Sequence, residues 1–316
     1  MQEDFVAACY FLNVGQGTSQ VIHLGDKRAI VIDTGPKWHS PQKRSPLLSL
    51  LKDRDIQRID ALILSHNDQD HIGEAATILD NYKKRIGNVF FLEDRSRDEN
   101  KQLYKTIKLY HQKGFIKIGR LENPYDKPTP LFSEGDISID LLFPGFSQNL
   151  FATKPNNTSA IIALSIGTQT VIFSGDAPIE AWKDIVGKNG RIESQIITIP
   201  HHGGGFISSK PETESFVNEL NWFHDKAIQT KFAVVSVGTN NKHKHPSPQI
   251  IQSFAKRNIE VLCTQATSQC TGNAETCEVI CCGTIVANIG LNTTQIKNLD
   301  GFRESKEKML YRLCVS

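Results

Sequence analysis

The sequence contains no apolar stretch that approaches the ~20 residues needed to cross a bilayer. Its longest apolar runs, such as Ala29–Ile32, Ala61–Leu64 and Ala160–Leu164, are a fraction of that length. The N-terminus, MQEDFVAACYFLNV, lacks the basic region and cleavage signal of a secretory leader and reads as a first strand. A protein that stays in the cytoplasm, without a membrane partner, is expected. Charge of one sign is also scarce: 36 Lys+Arg stand against 34 Asp+Glu, a formal net charge of +2. That excludes a strongly basic protein that coats nucleic acid, though not a local basic patch. There is no Walker loop, no dinucleotide fingerprint, no short repeat and no low-complexity tract. What is present is ordinary for a folded domain. Hydrophobic residues make up 39% of 316 residues, too many for a disordered chain and enough for a sizeable core.

Strand-like and helix-like runs alternate along the chain. Runs rich in β-branched residues predict strands at Phe5–Val14, Ser19–Leu24, Ala29–Asp33, Ala61–Ser65, Val89–Leu92, Ile137–Phe143, Ser159–Ile166, Thr170–Ser174, Ser194–Pro200, Phe232–Val237, Glu260–Cys263 and Val279–Ala287. Helices are predicted at Pro46–Lys52, Glu74–Arg85, Asn100–Lys113, Pro178–Val186, Glu212–His224 and Pro248–Arg257. Ser45 before Pro46 and Ser247 before Pro248 are start signals, because proline suits the first helical position. The short turn Gly25-Asp26-Lys27-Arg28 joins two strands as a hairpin, so the order is not a plain βαβ repeat. The polar segment Glu93–Pro130 reads as a surface insertion with a loop at Asn123–Pro130.

The densest chemistry lies in His66-Asn67-Asp68-Gln69-Asp70-His71-Ile72-Gly73, after the strand Ala61–Ser65 and before a helix. Side chains at 66, 68 and 70 can converge on one point with His71 beside them. Two carboxylates 4 Å apart repel by roughly 4 kcal/mol at an effective dielectric near 20. A cation must offset that repulsion, and imidazole with carboxylate is a ligand set for a divalent metal. Helix capping alone would need one acid, not two acids and two histidines.

This constellation resembles the signature of the metallo-β-lactamase superfamily. It is most similar to the variant with Asp68 in place of a second histidine, found in the metallo-hydrolase domain of ComEC-type DNA-uptake proteins. Further matches follow in order: Asn13-Val14-Gly15-Gln16-Gly17, Val31-Ile32-Asp33-Thr34-Gly35, Asn156-Asn157-Thr158-Ser159, Phe173-Ser174-Gly175-Asp176, Ile199-Pro200-His201-His202-Gly203-Gly204, and Ser236-Val237-Gly238-Thr239-Asn240 before His245-Pro246. Asn13 and Thr18 depart from the family's usual aspartates, and Asn156-Asn157 fills the place of a third histidine. The uptake proteins carry a membrane channel and this chain shows none, so the resemblance implies a stand-alone domain over residues 1–316.

The resemblance implies an αββα sandwich of two mixed sheets flanked by helices, holding one or two Zn²⁺ or Mn²⁺ ions. Its ligands would be drawn from His66, Asp68, Asp70, His71, a bridging Asp176, and one of His201 and His202. Two adjacent histidines do not easily point the same way, so the other is expected to face substrate or solvent. Asp70 would also orient a metal-activated water, and Asp33 would orient a metal-binding histidine. His245 is read either as a ligand or as a general acid, with Lys242, Asn157 and Gly203 on the substrate side. The implied activity is phosphodiester hydrolysis of nucleic acid. Two alternatives remain: hydrolysis of a small ester, lactone, thioester or cyclic nucleotide, and a non-catalytic metallo-domain that binds a protein partner, for example in a defence operon.

Seven cysteines are present, and five crowd between Cys263 and Cys282. That is too clustered for a disulfide framework, and too widely spaced for paired zinc knuckles. Cys263, Cys270, Cys277, Cys281 and Cys282, in a Cys-rich element at about residues 261–290, are candidates for a structural zinc ion. Disulfides or unrelated buried thiols are the alternatives.

Overall fold

The computed structural model describes residues 5–38, 45–93, 98–124, 127–151, 155–271, 279–307 and 314. Two mixed sheets stack face to face with helices on their outer faces. The eight-stranded sheet runs in the order Thr294–Ile296, Ile285–Ile289, Ala7–Phe11, Ser19–Gly25, Arg28–Thr34, Arg58–Ile63, Ile86–Phe91, Lys117–Arg120. The seven-stranded sheet runs Glu260–Cys263, Phe232–Val235, Ile196–Thr198, Gln169–Phe173, Ile161–Ile166, Ile137–Phe143, Thr129–Glu134. In each sheet an antiparallel meander gives way to parallel strands: at Arg28–Thr34 in the first and at Gln169–Phe173 in the second.

The strand Arg28–Thr34 shows why the layers form. Ile30 and Ile32 enter the core between the sheets, while Ala29 and Val31 enter a second core under the outer helices. Alternate side chains leave opposite faces, so a strand covered on both sides needs an unbroken apolar run. Arg58–Ile63 repeats the pattern, with Ala61 and Ile63 inside and Ile59 and Leu62 outside. At helix Pro46–Asp53 the Ser45 hydroxyl accepts from Leu48 N at 3.3 Å, as its start signal predicted. At Pro248–Ala255 the Ser247 hydroxyl instead donates to Gln249 Oε1 at 2.8 Å.

Two sequence readings need correction. The segment Glu93–Pro130 is not an insertion. Helix Lys101–Gln112 buries Leu103, Tyr104, Ile107 and Tyr110 against the first sheet, and Lys117–Arg120 is that sheet's edge strand. The predicted strand Val279–Ala287 is broken into Val279–Ile280 and Ile285–Ile289, with Gly283 at φ 67° in the gap. Among the described residues, no helix is long and apolar enough to cross a membrane.

Candidate metal centre

The carboxyl ends of the parallel strands meet along one edge of the sandwich, where open α/β sheets commonly bind ligands. Arg58–Ile63 leads into Ser65 and His66, Gln169–Phe173 into Asp176, Ile196–Thr198 into His201 and His202, and Phe232–Val235 into the loop that carries His245. Asp33 ends the strand alongside, at φ 56°.

The loop His66–His71 is held from several directions. Tyr104 donates its hydroxyl to Asn67 Oδ1 at 2.7 Å, and Asn100 donates to the Asn67 carbonyl at 2.9 Å. Thr18 N donates to the Asp70 carbonyl at 3.0 Å, and Thr34 Oγ1 donates to the His71 carbonyl at 3.0 Å. A single helical turn, Gln69–Ile72, then presents Asp70 and His71 together.

The side chains converge on Asp176. Its Oδ1 lies 3.2 Å from His71 Nε2 and 3.7 Å from His202 Nε2. Its Oδ2 lies 3.6 Å from His66 Nε2 and 3.6 Å from His201 Nε2. Asp68 Oδ2 stands 3.7 Å from His66 Nε2, and Asp70 Oδ2 stands 3.2 Å from His202 Nε2. Two sets of ligand atoms lie within 4.8 Å of one another: His66 with His71 and Asp176, and Asp70 with His71 and His202. Asp176 is not a helix cap. Its backbone N–H donates to Ser159 Oγ at 2.8 Å, and the next helix begins at Ile179.

Each buried imidazole is anchored through its far nitrogen. His71 Nδ1 is 2.7 Å from Asp33 Oδ2, and Asp33 also accepts from Ser65 N at 2.7 Å and Ser65 Oγ at 2.6 Å. His202 Nδ1 is 2.8 Å from the Ser236 carbonyl. His66 Nδ1 meets the hydroxyls of Ser65 at 3.0 Å and Ser159 at 3.3 Å. A carbonyl or carboxylate at Nδ1 places the proton there and leaves the Nε2 lone pair for a cation. The Nε2 atoms of His66, His71 and His202, and Oδ1 of Asp176, are buried without a hydrogen-bond partner. Buried polar atoms are nearly always paired, so four such atoms facing one point fit a divalent cation.

The electrostatics agree. Burial opposes charge on His71, but Asp176 and Asp33 outweigh it and hold its pKa well above the ordinary value. Burial likewise opposes ionisation of Asp176, yet His71, His202 and His66 hold it well below the usual carboxylate range. Asp70 is held low against burial by His202 and His71. Protons or metal ions must balance these carboxylates.

His202 belongs to one of the two candidate ligand groups and His201 does not, although both Nε2 atoms lie within 3.7 Å of Asp176. Both adopt the left-handed backbone, at φ 52° and 54°, which turns both rings onto Asp176. His202 is enclosed, whereas the His201 side chain stays 27% exposed at the open side. His245 sits beyond it, with ring centres 5.4 Å apart, and burial and the neighbouring His201, His202 and His243 push its pKa down to about 4. A Cβ on Gly204 would fall 1.9 Å from His245 Nδ1, so only glycine lets that ring lie there. Gly203 packs on Pro246, where a Cβ would come within 2.6 Å of the ring. Lys242 is exposed in the same loop.

Asn157, with Phe143, Gln148, Pro178, Glu180, Ala181 and Asp184, lines a cavity of about 450 Å³. The anchors Ser65, Asn100 and Tyr104 were not singled out from sequence, whereas Ser159 closes the matched motif Asn156-Asn157-Thr158-Ser159.

A family model described as the metallo-beta-lactamase superfamily matches residues 12–179. The chain belongs to this superfamily. Among curated relatives, ComE operon protein 3 of Bacillus subtilis (strain 168) is 27% identical over 268 residues, covering 80% of this chain and 31% of that protein. Competence protein ComA of Neisseria gonorrhoeae is 23% identical over 272 residues, covering 82% of this chain and 31% of that protein. The chain thus spans less than a third of the length of these relatives. Among solved structures, the metallo-beta-lactamase fold protein YhfI of Bacillus subtilis aligns at 15% identity and a TM-score of 0.47, covering 81% of this chain and 96% of that one. In this superfamily member, Asn13 accepts from Gln265 Nε2 at 2.8 Å, so it ties the opening turn to the strand Gln265–Ala266.

Proposed function

We propose that the chain is a metal-dependent phosphodiesterase acting on nucleic acid. The observation that carries the metal-dependent part is the meeting of three partnerless imidazole nitrogens and one partnerless carboxylate oxygen in a buried edge site. The name of one relative, competence protein ComA, and the resemblance of the His66–His71 motif to that of DNA-uptake proteins support nucleic acid as the substrate class. Residues holding one ion would be His66, Asp68 and Asp176, with His201 supplying the nitrogen that Asn156-Asn157 does not. Residues holding a second would be Asp70, His71, Asp176 and His202. Ions bound there would supply hydroxide near neutral pH and neutralise charge on phosphate oxygens. A carboxylate-rich set suits Mn²⁺ as well as Zn²⁺.

The remaining steps belong to the chain's own groups. Asp70, partly exposed at the mouth, accepts a hydrogen bond from the attacking water and aims it. Asp33 keeps the His71 proton on Nδ1. His201 and His245 border the open side, where a phosphate arrives, and Lys242 attracts it without touching the reacting atoms.

The test is digestion of labelled single- and double-stranded DNA and RNA, beside a small chromogenic phosphodiester, by protein stripped of metal and reloaded with Mn²⁺ or Zn²⁺. Metal-dependent cleavage of a nucleic acid, lost in Asp70→Ala, is the expected result. Cleavage of the small diester alone would overturn the substrate class. Metal binding without any hydrolysis would favour the partner-binding domain.

A further inference from the structure

The cysteines carry no second site among the described residues. Cys263, Cys281 and Cys282 are free thiols in the apolar core, Cys270 packs against it, and neither group of candidate ligands includes a cysteine. Cys277 lies outside the described residues. The cavity lined by Asn157 and Glu180 carries more, because its walls leave the metal centre along the chain in both directions. On one side Asn157 stands two residues before Ser159, whose hydroxyl meets His66 Nδ1 at 3.3 Å and accepts from Asp176 N at 2.8 Å. On the other, Pro178 stands two residues after Asp176 and opens the helix Ile179–Asn189, which presents Glu180 and Asp184. Two residues of chain reach about 7 Å at most, so both walls stand beside the candidate ligands. Ser208 Oγ donates to Glu180 Oε1 at 2.7 Å and Ile179 N donates to the Phe206 carbonyl at 2.8 Å, so the chain leaving His201 and His202 packs on the same helix.

The lining contains no Lys, Arg or His, so a second phosphate would meet only carboxylates and amides there. Asp184 is already engaged: Gln148 Nε2 donates to its Oδ1 at 3.0 Å and Lys188 Nζ to its Oδ2 at 2.8 Å. Glu180 Oε2 and the Asn157 amide have no partner among the described residues, and Glu180 Oε1 meets only Ser208. A quaternary ammonium favours a cage of several aromatic rings, and the lining has one, Phe143. A cavity of about 450 Å³ is large enough for a small ligand, with Phe143, Pro178 and Ala181 as apolar walls. An open carboxylate beside an open amide, between such walls, suits a flat neutral group that carries adjacent N–H donors.

We infer that this cavity is a guanine-binding subsite of the metal centre, with Glu180 accepting from N1–H and the 2-amino group and Asn157 donating to O6. The subsite rests on the phosphodiesterase reading for its place beside the phosphate. Guanine is the base that fits because its Watson–Crick edge sets two N–H donors side by side, and a carboxylate accepts such a fork. Adenine and cytosine set one amino group beside an acceptor nitrogen, which a carboxylate repels. Thymine and uracil hold a single N–H between two carbonyls. That edge is free only where the base is unpaired, so the subsite selects single strands, loops and ends. The metal centre then takes the phosphate while the neutral cavity takes the base, and the sequence preference lies in Glu180 rather than in the metal ligands.

Saturation-transfer NMR on the full chain loaded with Zn²⁺ measures nucleoside binding apart from any hydrolysis. The probes are guanosine, inosine (which lacks only the 2-amino group), uridine and choline. Guanosine should bind best, with inosine about 10- to 100-fold weaker, as for loss of a hydrogen bond to a charged group. Glu180 is exposed, so Glu180→Gln spares the fold, and it should abolish that ratio. Asn157→Ala should weaken guanosine and inosine alike. A merely structural part for Glu180 would leave the ratio unchanged in Glu180→Gln, and that result overturns the subsite. So does equal binding of the three nucleosides, binding of none, or choline bound tightest. Cleavage of oligothymidylates that carry one guanine or one hypoxanthine should concentrate beside the guanine. Metal-dependent cleavage without that preference would overturn the subsite and leave the phosphodiesterase reading standing. Guanosine selectivity that Glu180→Gln removes, with no nucleic acid cleaved, would support the subsite and overturn the phosphodiesterase reading.

Discussion

Asp33 Oδ2 and His71 Nδ1 are 2.7 Å apart, both fully enclosed, and the aspartate reaches that position only through a left-handed backbone at φ 56°. A non-glycine residue in that region is uncommon and costs energy. Two further hydrogen bonds from Ser65 hold the carboxylate in place, so the strain is retained for the sake of one imidazole's proton.

Asp33→Asn should expose this role. An amide can still accept from Ser65 N, but turned towards His71 it offers N–H groups that favour the wrong tautomer. Loss of such a partner typically weakens metal affinity about 10- to 100-fold. Competition against a calibrated chelator measures it, with circular dichroism to show an intact fold. Unchanged affinity would mean that His71 does not need Asp33 to bind metal.

Tyr104→Phe tests whether the helix Lys101–Gln112 supports the centre. It removes the donor to Asn67 Oδ1, and a neutral hydrogen bond of this kind is worth about 1 kcal/mol. Thermal unfolding should shift by that small amount, while the metal affinity of the His66–His71 loop falls as well. A stability loss with no change in affinity would reduce Tyr104 to a packing role.

His224 gives a pH prediction independent of the metal centre. Burial, with Arg257 adding to it, pushes its pKa from 6.5 down to about 3, and its Nε2 lies 2.8 Å from Ser253 Oγ. The unfolded chain takes up a proton below about pH 6.5, whereas the folded chain does not until about pH 3. Stability must therefore fall as pH drops through that window, by up to ~1.4 kcal/mol per unit from this group. Urea midpoints for His224→Leu should show a flatter slope between pH 6.5 and 4 than the wild type. Parallel slopes would mean that His224 is protonated in the fold.

Much of this architecture was written locally. The alternation through Ala29, Ile30, Val31 and Ile32 announces a strand buried on both faces, and the density of acids and histidines from His66 to His71 announces a cation. What was hidden depends on distance along the chain or on backbone states that side-chain identity does not reveal. Tyr104 meets Asn67 across 37 residues, and nothing in a polar helix marks that contact. The edge strand Lys117–Arg120 is short and largely solvent-facing, so it carries no apolar pattern. The paired left-handed residues His201 and His202 escape notice because glycine, not histidine, is the usual sign of that conformation.

The way the two sheets share the centre has a consequence for assembly. His66 to His71 hang from one sheet, and Asp176 to His202 from the other, with more than a hundred residues between the outermost ligands. Unlike a zinc finger, whose ligands lie within one short hairpin and helix, neither half holds a complete set. Contacts of such long range form late in folding, after the loop between them has been closed. Metal bound at the edge would thus report that the sandwich has shut, since a half-folded chain offers only the His66–His71 part of the set.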